Sequence, residues 1–197
     1  VYREIIECIT GALDAKDAYT AGHSQRVSEM ALKVCELIGL KKKDIRKIHI
    51  AAHLHDIGKI GIPDAILNKE GRLTDEEFEI MKTHSAIGAG ILSKSKSLSE
   101  FSDIVLHHHE RFDGKGYPDG LKGEKIPVGA RIIAICDSID AMTSNRRYRK
   151  ELGFDVCYQE IEKNLGKMYD PIIGQYVLDH FDKVTACLHK NVAVKAV

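Results

Sequence analysis

No stretch of this 197-residue chain approaches the roughly 20 consecutive apolar residues of a membrane span, and no secretory signal pattern is visible. Net charge is missing as well. The 29 acidic residues balance 29 basic ones, so no global field draws the protein to nucleic acid or to a lipid surface, and any anion recognition has to be local. The five cysteines, Cys8, Cys35, Cys136, Cys157 and Cys187, are odd in number and contain no CxxC pair. They read as reduced core thiols of a cytoplasmic protein rather than as a disulfide framework. Alternating β-branched runs bounded by turns are lacking, as are internal repeats and low-complexity segments. What remains is a chain that is 44% hydrophobic, enough for one good core and too short for two comfortable domains. It opens on Val1 without an initiator methionine, which suggests a fragment of a longer protein.

Helical periodicity runs almost throughout, so the expected fold is all-α, a single-domain helical bundle. Residues 1–16 carry Val1, Ile5, Ile6, Ile9 and Leu13 on one face, an amphipathic lead-in helix that suits either a core element or a connector to an upstream sensor or dimer partner. The next helix opens near Gly22-His23 and stops at Gly39. A third follows Lys41-Lys42-Lys43, turns Ile45, Ile48, Ala51, Ala52 and His55 inward, and ends by Gly58. Thr74 with Glu77 has capping-box spacing for a helix bearing Phe78, Met81 and His84. Another helix, from about Glu100, runs into His107-His108-His109-Glu110; the glycine- and proline-rich stretch after it is a long ordered loop. Pro127 suits the first turn of a helix carrying Ile132, Ile133, Ile135 and Asp137. Helices over Phe154–Asn164 and Pro171–Asp182 follow, the latter N-capped by Asp170, and a tail from residue 188 to 197 is expected to fray.

Five stations along these helices offer metal-binding side chains: His23, His55-Asp56, His84, His108-His109 and Asp137. Successive stations lie about 24 to 32 residues apart, the length of one helix and its connection, so an antiparallel bundle can bring them to one level. A lone helical histidine is more often a satisfied core or surface residue than a ligand, and the joint pattern carries the inference. Burying His55 and Asp56 unpaired at the end of an apolar helix would cost several kcal/mol, which a cation offsets. Imidazole and carboxylate donors without thiolate suit iron, manganese or zinc in hydrolytic chemistry. His49 and His53 form an HxxxH pair without the intervening glutamate of a zincin, so they read as polar face or core packing. His107 competes with its two neighbours, because three consecutive helical side chains point about 100° apart.

The stretches AAHLHDIGKIGIPDAIL and HHHERFDGKGYPDGLKGEKIP resemble those that name the HD-GYP group of HD-domain phosphohydrolases. The likeness extends in order and spacing from Asp17 through His23 and ARIIAICDSIDAMTSNRRYR to Tyr169-Asp170-Pro171, placing the catalytic domain at residues 17–187. It implies one metal held by His23, His55, Asp56 and Asp137, and a second held by His84, His108 and His109, with Asp56 bridging and His107 left out. It also implies that Lys59 reaches the phosphate and that Tyr117, Arg146 and Arg149 contact substrate. Arg147 stands where a proline is usual, and Ser85 where a proline often follows the histidine. Trinuclear members carry a glutamate four residues before the first histidine, where this chain has Tyr19, so two metals are expected rather than three. Asp17 substitutes for it only if the backbone turns.

The activity implied is hydrolysis of cyclic di-GMP to the linear dinucleotide pGpG, and to GMP if hydrolysis proceeds. A dinuclear centre of iron or manganese, with zinc and nickel also suited, would supply a bridging hydroxide. The competing readings are an HD-type hydrolase of another cyclic dinucleotide or nucleotide, told apart by turnover of a substrate panel, and a nucleotide-binding regulatory module without turnover. A module of that kind has no need of seven ligands and Lys59.

Overall fold

A computed structural model of the chain describes residues 2–17, 21–144 and 153–190. Tyr19, Arg146, Arg147 and Arg149 lie outside the described residues.

Eleven α-helices and three short 3-10 turns make up the described structure, with a single isolated bridge between Leu165 and Tyr169 and no strands. In chain order the helices are α1 (Tyr2–Lys16), α2 (His23–Leu37), α3 (Lys42–Leu54), α4 (Asp64–Leu67), α5 (Asp75–Lys82), α6 (His84–Ser93), α7 (Ser102–Leu106), α8 (Val128–Thr143), α9 (Phe154–Lys163), α10 (Pro171–Asp179) and α11 (Phe181–Lys190). The all-α expectation holds. At the centre, α2 packs on both α3 and α8. Val27, Met30, Ala31 and Val34 of α2 are buried against Ile48, Ala51 and Ala52 of α3 and Ile132, Ile133, Ile135 and Ile139 of α8. These are side chains at three- and four-residue spacing, so each helix presents one apolar stripe inward. Among the described residues, no helix is long and apolar enough to cross a membrane.

Several local signals act as their chemistry requires. Thr74 Oγ1 accepts the Glu77 N–H while Glu77 Oε2 accepts the Thr74 N–H, closing the capping box of α5. Asp170 Oδ1 accepts the N–H groups of Ile172 and Ile173 and so caps α10, with Pro171 in its first turn. Gly39 stops α2 with φ 74°, a left-handed conformation that costs glycine little.

Elsewhere the structure departs from the periodicity. The helix of Phe78 and Met81 does not reach His84. It ends at Thr83, whose N–H and hydroxyl both turn back to the Ile80 carbonyl, and His84 opens α6. Helix α7 ends at Leu106, so His107, His108 and His109 sit in a turn closed by the Glu110 N–H on the His107 carbonyl, not on a continuous helix. Pro127 is the residue before α8 rather than inside it. The helix from Pro171 breaks at His180, and α11 runs through the buried Leu188 to Lys190, past the point where the tail was expected to begin. Helix α1 packs Ile6 and Leu13 into the domain, contacting α3 and the turn after Asp56, which favours a core element over a free lead-in. Cys35, Cys136 and Cys157 are buried free thiols, whereas Cys8 is exposed and does not belong to the core.

The turn that follows the His55-Asp56 pair is pressed against α6. A Cβ at Gly58 would sit 1.7 Å from the His84 carbonyl oxygen and 2.5 Å from the Gly88 nitrogen, both backbone atoms. Only glycine lets the two candidate ligand stretches approach this closely. Gly58→Ala is expected to cost at least about 1–3 kcal/mol through forced backbone separation. Thermal unfolding, with metal content measured in parallel, checks this: both should fall.

Candidate metal centre

Seven side chains from five segments converge here. Asp56 is the shared member, because each of its oxygens faces a different group of imidazoles. Oδ1 lies 3.4 Å from His84 Nε2, while Oδ2 lies 3.5 Å from His55 Nε2 and 3.6 Å from His23 Nε2. Two constellations meet at that carboxylate: Asp56, His84, His108 and His109 on one side, and His23, His55 and Asp56 on the other. Asp137 joins the second, with Oδ1 3.3 Å from His23 Nε2. These are the residues the stations nominated, and the structure brings them together around Asp56.

The imidazoles are set in one orientation by the backbone. Nδ1 of His55, His84 and His108 each lies 2.7 Å from the carbonyl oxygen three residues earlier, at Ala52, Met81 and Val105. A carbonyl can only accept, so Nδ1 carries the proton and Nε2 presents its lone pair to the centre. His84 Nε2 then lies 3.4 Å from His108 Nε2 and 3.2 Å from His109 Nε2, and His23 Nε2 lies 3.3 Å from His55 Nε2.

This donor set fits a cation. Lone pairs cannot hydrogen-bond to one another, and leaving them facing in a buried site is costly. Nitrogens bound about 2.1 Å from one ion at tetrahedral angles lie about 3.4 Å apart, close to the spacing present. The protonation states suit the same role. Burial pushes His84 down and His108 well down, and it lowers His109 to about 4, so these imidazoles stay neutral. For Asp56 and Asp137, burial acts to raise the pKa, but Lys59 and the nearby histidines outweigh it at Asp56, and His23 with the other histidines outweighs it at Asp137, so both remain ionised carboxylates. His23 differs: burial lowers it, yet hydrogen bonds to Asp137 and Asp140 raise it to about 9. A proton therefore competes with a cation at His23 Nε2, and apparent metal affinity falls as pH falls.

Behind His23 stands a carboxylate that the station pattern did not reveal. Asp140, 2% exposed, receives His23 Nδ1 at 2.7 Å on Oδ2. Arg26 grips the same group, with Nε 2.5 Å from Oδ1 and Nη2 3.0 Å from Oδ2. Arg26 lies three residues after His23 on α2, and Asp140 three after Asp137 on α8, so each stands on its ligand's face of the helix. That repeated spacing was the available signal.

Lys59 lies on the rim of the site, 2.8 Å from Asp56 Oδ2 and 3.5 Å from Asp17 Oδ2. Asp17 is buried and thus reaches the edge of the site. His49 and His53 meet edge to face away from it, with His53 Nε2 2.9 Å from Ser28 Oγ and His49 Nδ1 3.1 Å from the Ser28 carbonyl.

The glycine-rich loop is fastened over the centre by two residues that precede it. Glu110 Oε1 accepts the Asp119 N–H at 2.8 Å, and His107 Nε2 lies 2.9 Å from Asp119 Oδ2. Burial lowers His107, but its bonds to Asp119 and Asp103 raise it overall, and it belongs to neither of the two constellations. A Cβ at Gly116 would fall 2.3 Å from the Arg111 nitrogen, so the chain can double back here only through glycine. The result is Tyr117 stacked on His109, ring centroids 4.9 Å apart and planes 26° apart.

A family model described as HD domain matches residues 7–173. A cyclic di-GMP phosphodiesterase of Thermotoga maritima is 44% identical over 184 residues, covering 92% of this chain and 50% of that protein. A 3'3'-cGAMP-specific phosphodiesterase of Vibrio cholerae is 34% identical over 186 residues, covering 93% of this chain and 36% of that protein. The chain thus spans about half or less of the length of these relatives. The crystal structure of a cyclic GMP-AMP specific phosphodiesterase of V. cholerae superposes with a TM-score of 0.72 at 18% identity, over 91% of this chain and 48% of that one, a likeness of fold.

Proposed function

This chain belongs to the HD-domain family, and on that footing we propose that it is a metal-dependent phosphodiesterase hydrolysing cyclic di-GMP to pGpG, and to GMP where hydrolysis proceeds. The observation that carries the chemistry is the Asp56 carboxylate with one oxygen toward each imidazole group. The substrate rests on the 44% identity to a cyclic di-GMP phosphodiesterase.

An HD domain implies divalent metal binding. We assign one ion to His23, His55, Asp56 and Asp137 and a second to Asp56, His84, His108 and His109, with iron or manganese the ions expected and zinc or nickel also compatible. When bound, such a pair supplies Lewis acidity toward phosphoryl oxygens and brings the ionisation of water near neutral pH. The chain's own residues do the rest. Asp56 fixes the separation of the two positions and stays ionised. Lys59 sets a positive charge at the carboxylate edge, where a non-bridging phosphate oxygen would arrive. Tyr117 is pushed upward by burial and by the charges of Asp137 and Asp56, so its hydroxyl stays a neutral donor. Arg146 and Arg149 are proposed, on their sequence positions alone, to grip the second phosphate in forked geometry. A cytoplasmic setting and an upstream sensor or homodimer partner belong to the same reading.

The 3'3'-cGAMP-specific relative supports a second substrate reading within the same chemistry. Turnover of cyclic di-GMP, 3'3'-cGAMP and cyclic di-AMP by metal-reconstituted protein separates the two. The highest kcat/KM is expected for cyclic di-GMP; failure to cleave it while another dinucleotide is cleaved transfers the assignment.

A further inference from the structure

A row of side chains leads outward from the metal centre along α5. Tyr117 stacks on His109; beyond it, the Lys82 ammonium lies 5.6 Å from the Tyr117 ring centroid and 5.6 Å from that of Phe78. Phe78 ends the row with 48% of its surface exposed. Core packing does not account for this ring, since Phe78 belongs neither to the buried core cluster nor to the side chains packed against it. Among the described residues Lys82 pairs with Glu79, an i,i+3 surface pair whose carboxylate side chain is 68% exposed. Such pairs contribute little and exchange readily for a stronger anion.

We propose that Phe78 and Lys82 form a substrate subsite, in which Phe78 stacks a nucleobase and Lys82 shares with Arg146 and Arg149 the phosphate that is not being cleaved; this rests on the cyclic dinucleotide reading above. A cyclic dinucleotide carries two phosphates and two bases. With one phosphate at the metals, the other half of the ring presents a phosphate and a base, and the row adds a further cation and a flat apolar face in sequence. Lys82 is anchored for this by two aromatic faces, which hold an ammonium without satisfying its three donors. An exposed ring offers a π-face to any base, so the subsite gives affinity for dinucleotides more than choice among their bases.

The test is steady-state kinetics of metal-loaded wild type, Phe78→Ala, Phe78→Trp and Lys82→Ala on cyclic di-GMP and on bis(p-nitrophenyl) phosphate, a small diester without bases, with metal content and Tm recorded. Phe78→Ala and Lys82→Ala are each expected to raise KM for cyclic di-GMP about tenfold, at wild-type metal content, and Phe78→Trp to restore it. Unchanged KM for cyclic di-GMP in both alanine variants, or a Phe78→Ala defect that tryptophan does not rescue, overturns the subsite alone. A wild type that hydrolyses the small diester but no cyclic dinucleotide overturns the functional reading and the subsite together.

Discussion

Asp56→Ala is expected to abolish both metal retention and hydrolysis of cyclic di-GMP. No other described carboxylate offers one oxygen to each imidazole group, so its loss removes a ligand from both positions at once. The remaining cluster is also left badly balanced. Lys59, 2.8 Å from Asp56 Oδ2, would keep its charge beside five histidines with only Asp17 and Asp137 to offset it. Removing one partner of a buried charge pair costs about 3–5 kcal/mol of folding stability, in addition to the lost coordination. Elemental analysis of the purified variant, beside its rate on cyclic di-GMP, checks this. Asp56→Asn separates charge from shape, since an amide of equal size keeps one acceptor but cannot serve two cations. Retained hydrolysis in either variant would refute the role assigned to Asp56.

Asp140→Asn is expected to weaken metal binding about 10- to 100-fold while leaving all seven proposed ligands in place, the usual scale for a carboxylate that orients a ligating histidine. Asp140 fixes His23 through Nδ1 and is itself held at both oxygens by Arg26. An asparagine can satisfy Arg26 or His23 with its single acceptor, not both, so the His23 ring loses its fixed tautomer and aim. For the aspartate, burial acts to raise the pKa and the His23 and Arg26 bonds prevail, holding it below the ordinary carboxylate range. The sign follows: the clamp is complete above the usual carboxylate pKa and is lost only as pH falls through the lowered value, so neutral and mildly acid conditions leave it intact. Competition with a chelator reads the affinity directly, independent of turnover. An affinity within twofold of wild type would remove Asp140 from the metal-binding machinery.

The parts of this molecule that a sequence reveals are those governed by local chemistry. The capping box at Thr74 and Glu77, the stop at Gly39 and the cap at Asp170 involve residues within four positions of one another, and each forms as its side chains dictate. The ligand stations were legible because helices of ordinary length impose their own spacing on anything that must meet at one level. The breaks at Thr83 and His180 were not, since neither contains glycine or proline and helical periodicity continues across them. Asp140 and Arg26 escaped for a different reason. A charged residue three positions along a helix from a ligand looks like an ordinary solvated face until tertiary packing joins the two helices. The row from Tyr117 to Phe78 depends on the path of a loop fastened by Glu110 and His107, which no local pattern encodes. Asp17 reaches Lys59 although Tyr19 holds the position from which a third ligand was sought, and that position lies outside the described residues.

The central claim, a two-metal centre that hydrolyses cyclic di-GMP, is tested most directly by titrating iron or manganese into metal-stripped protein without oxygen while following pGpG formation. Product formation is expected to appear with the second equivalent of metal per chain and to saturate there. Saturation at one or three equivalents would contradict the two-metal centre, and no cleavage at any loading would contradict the assigned reaction.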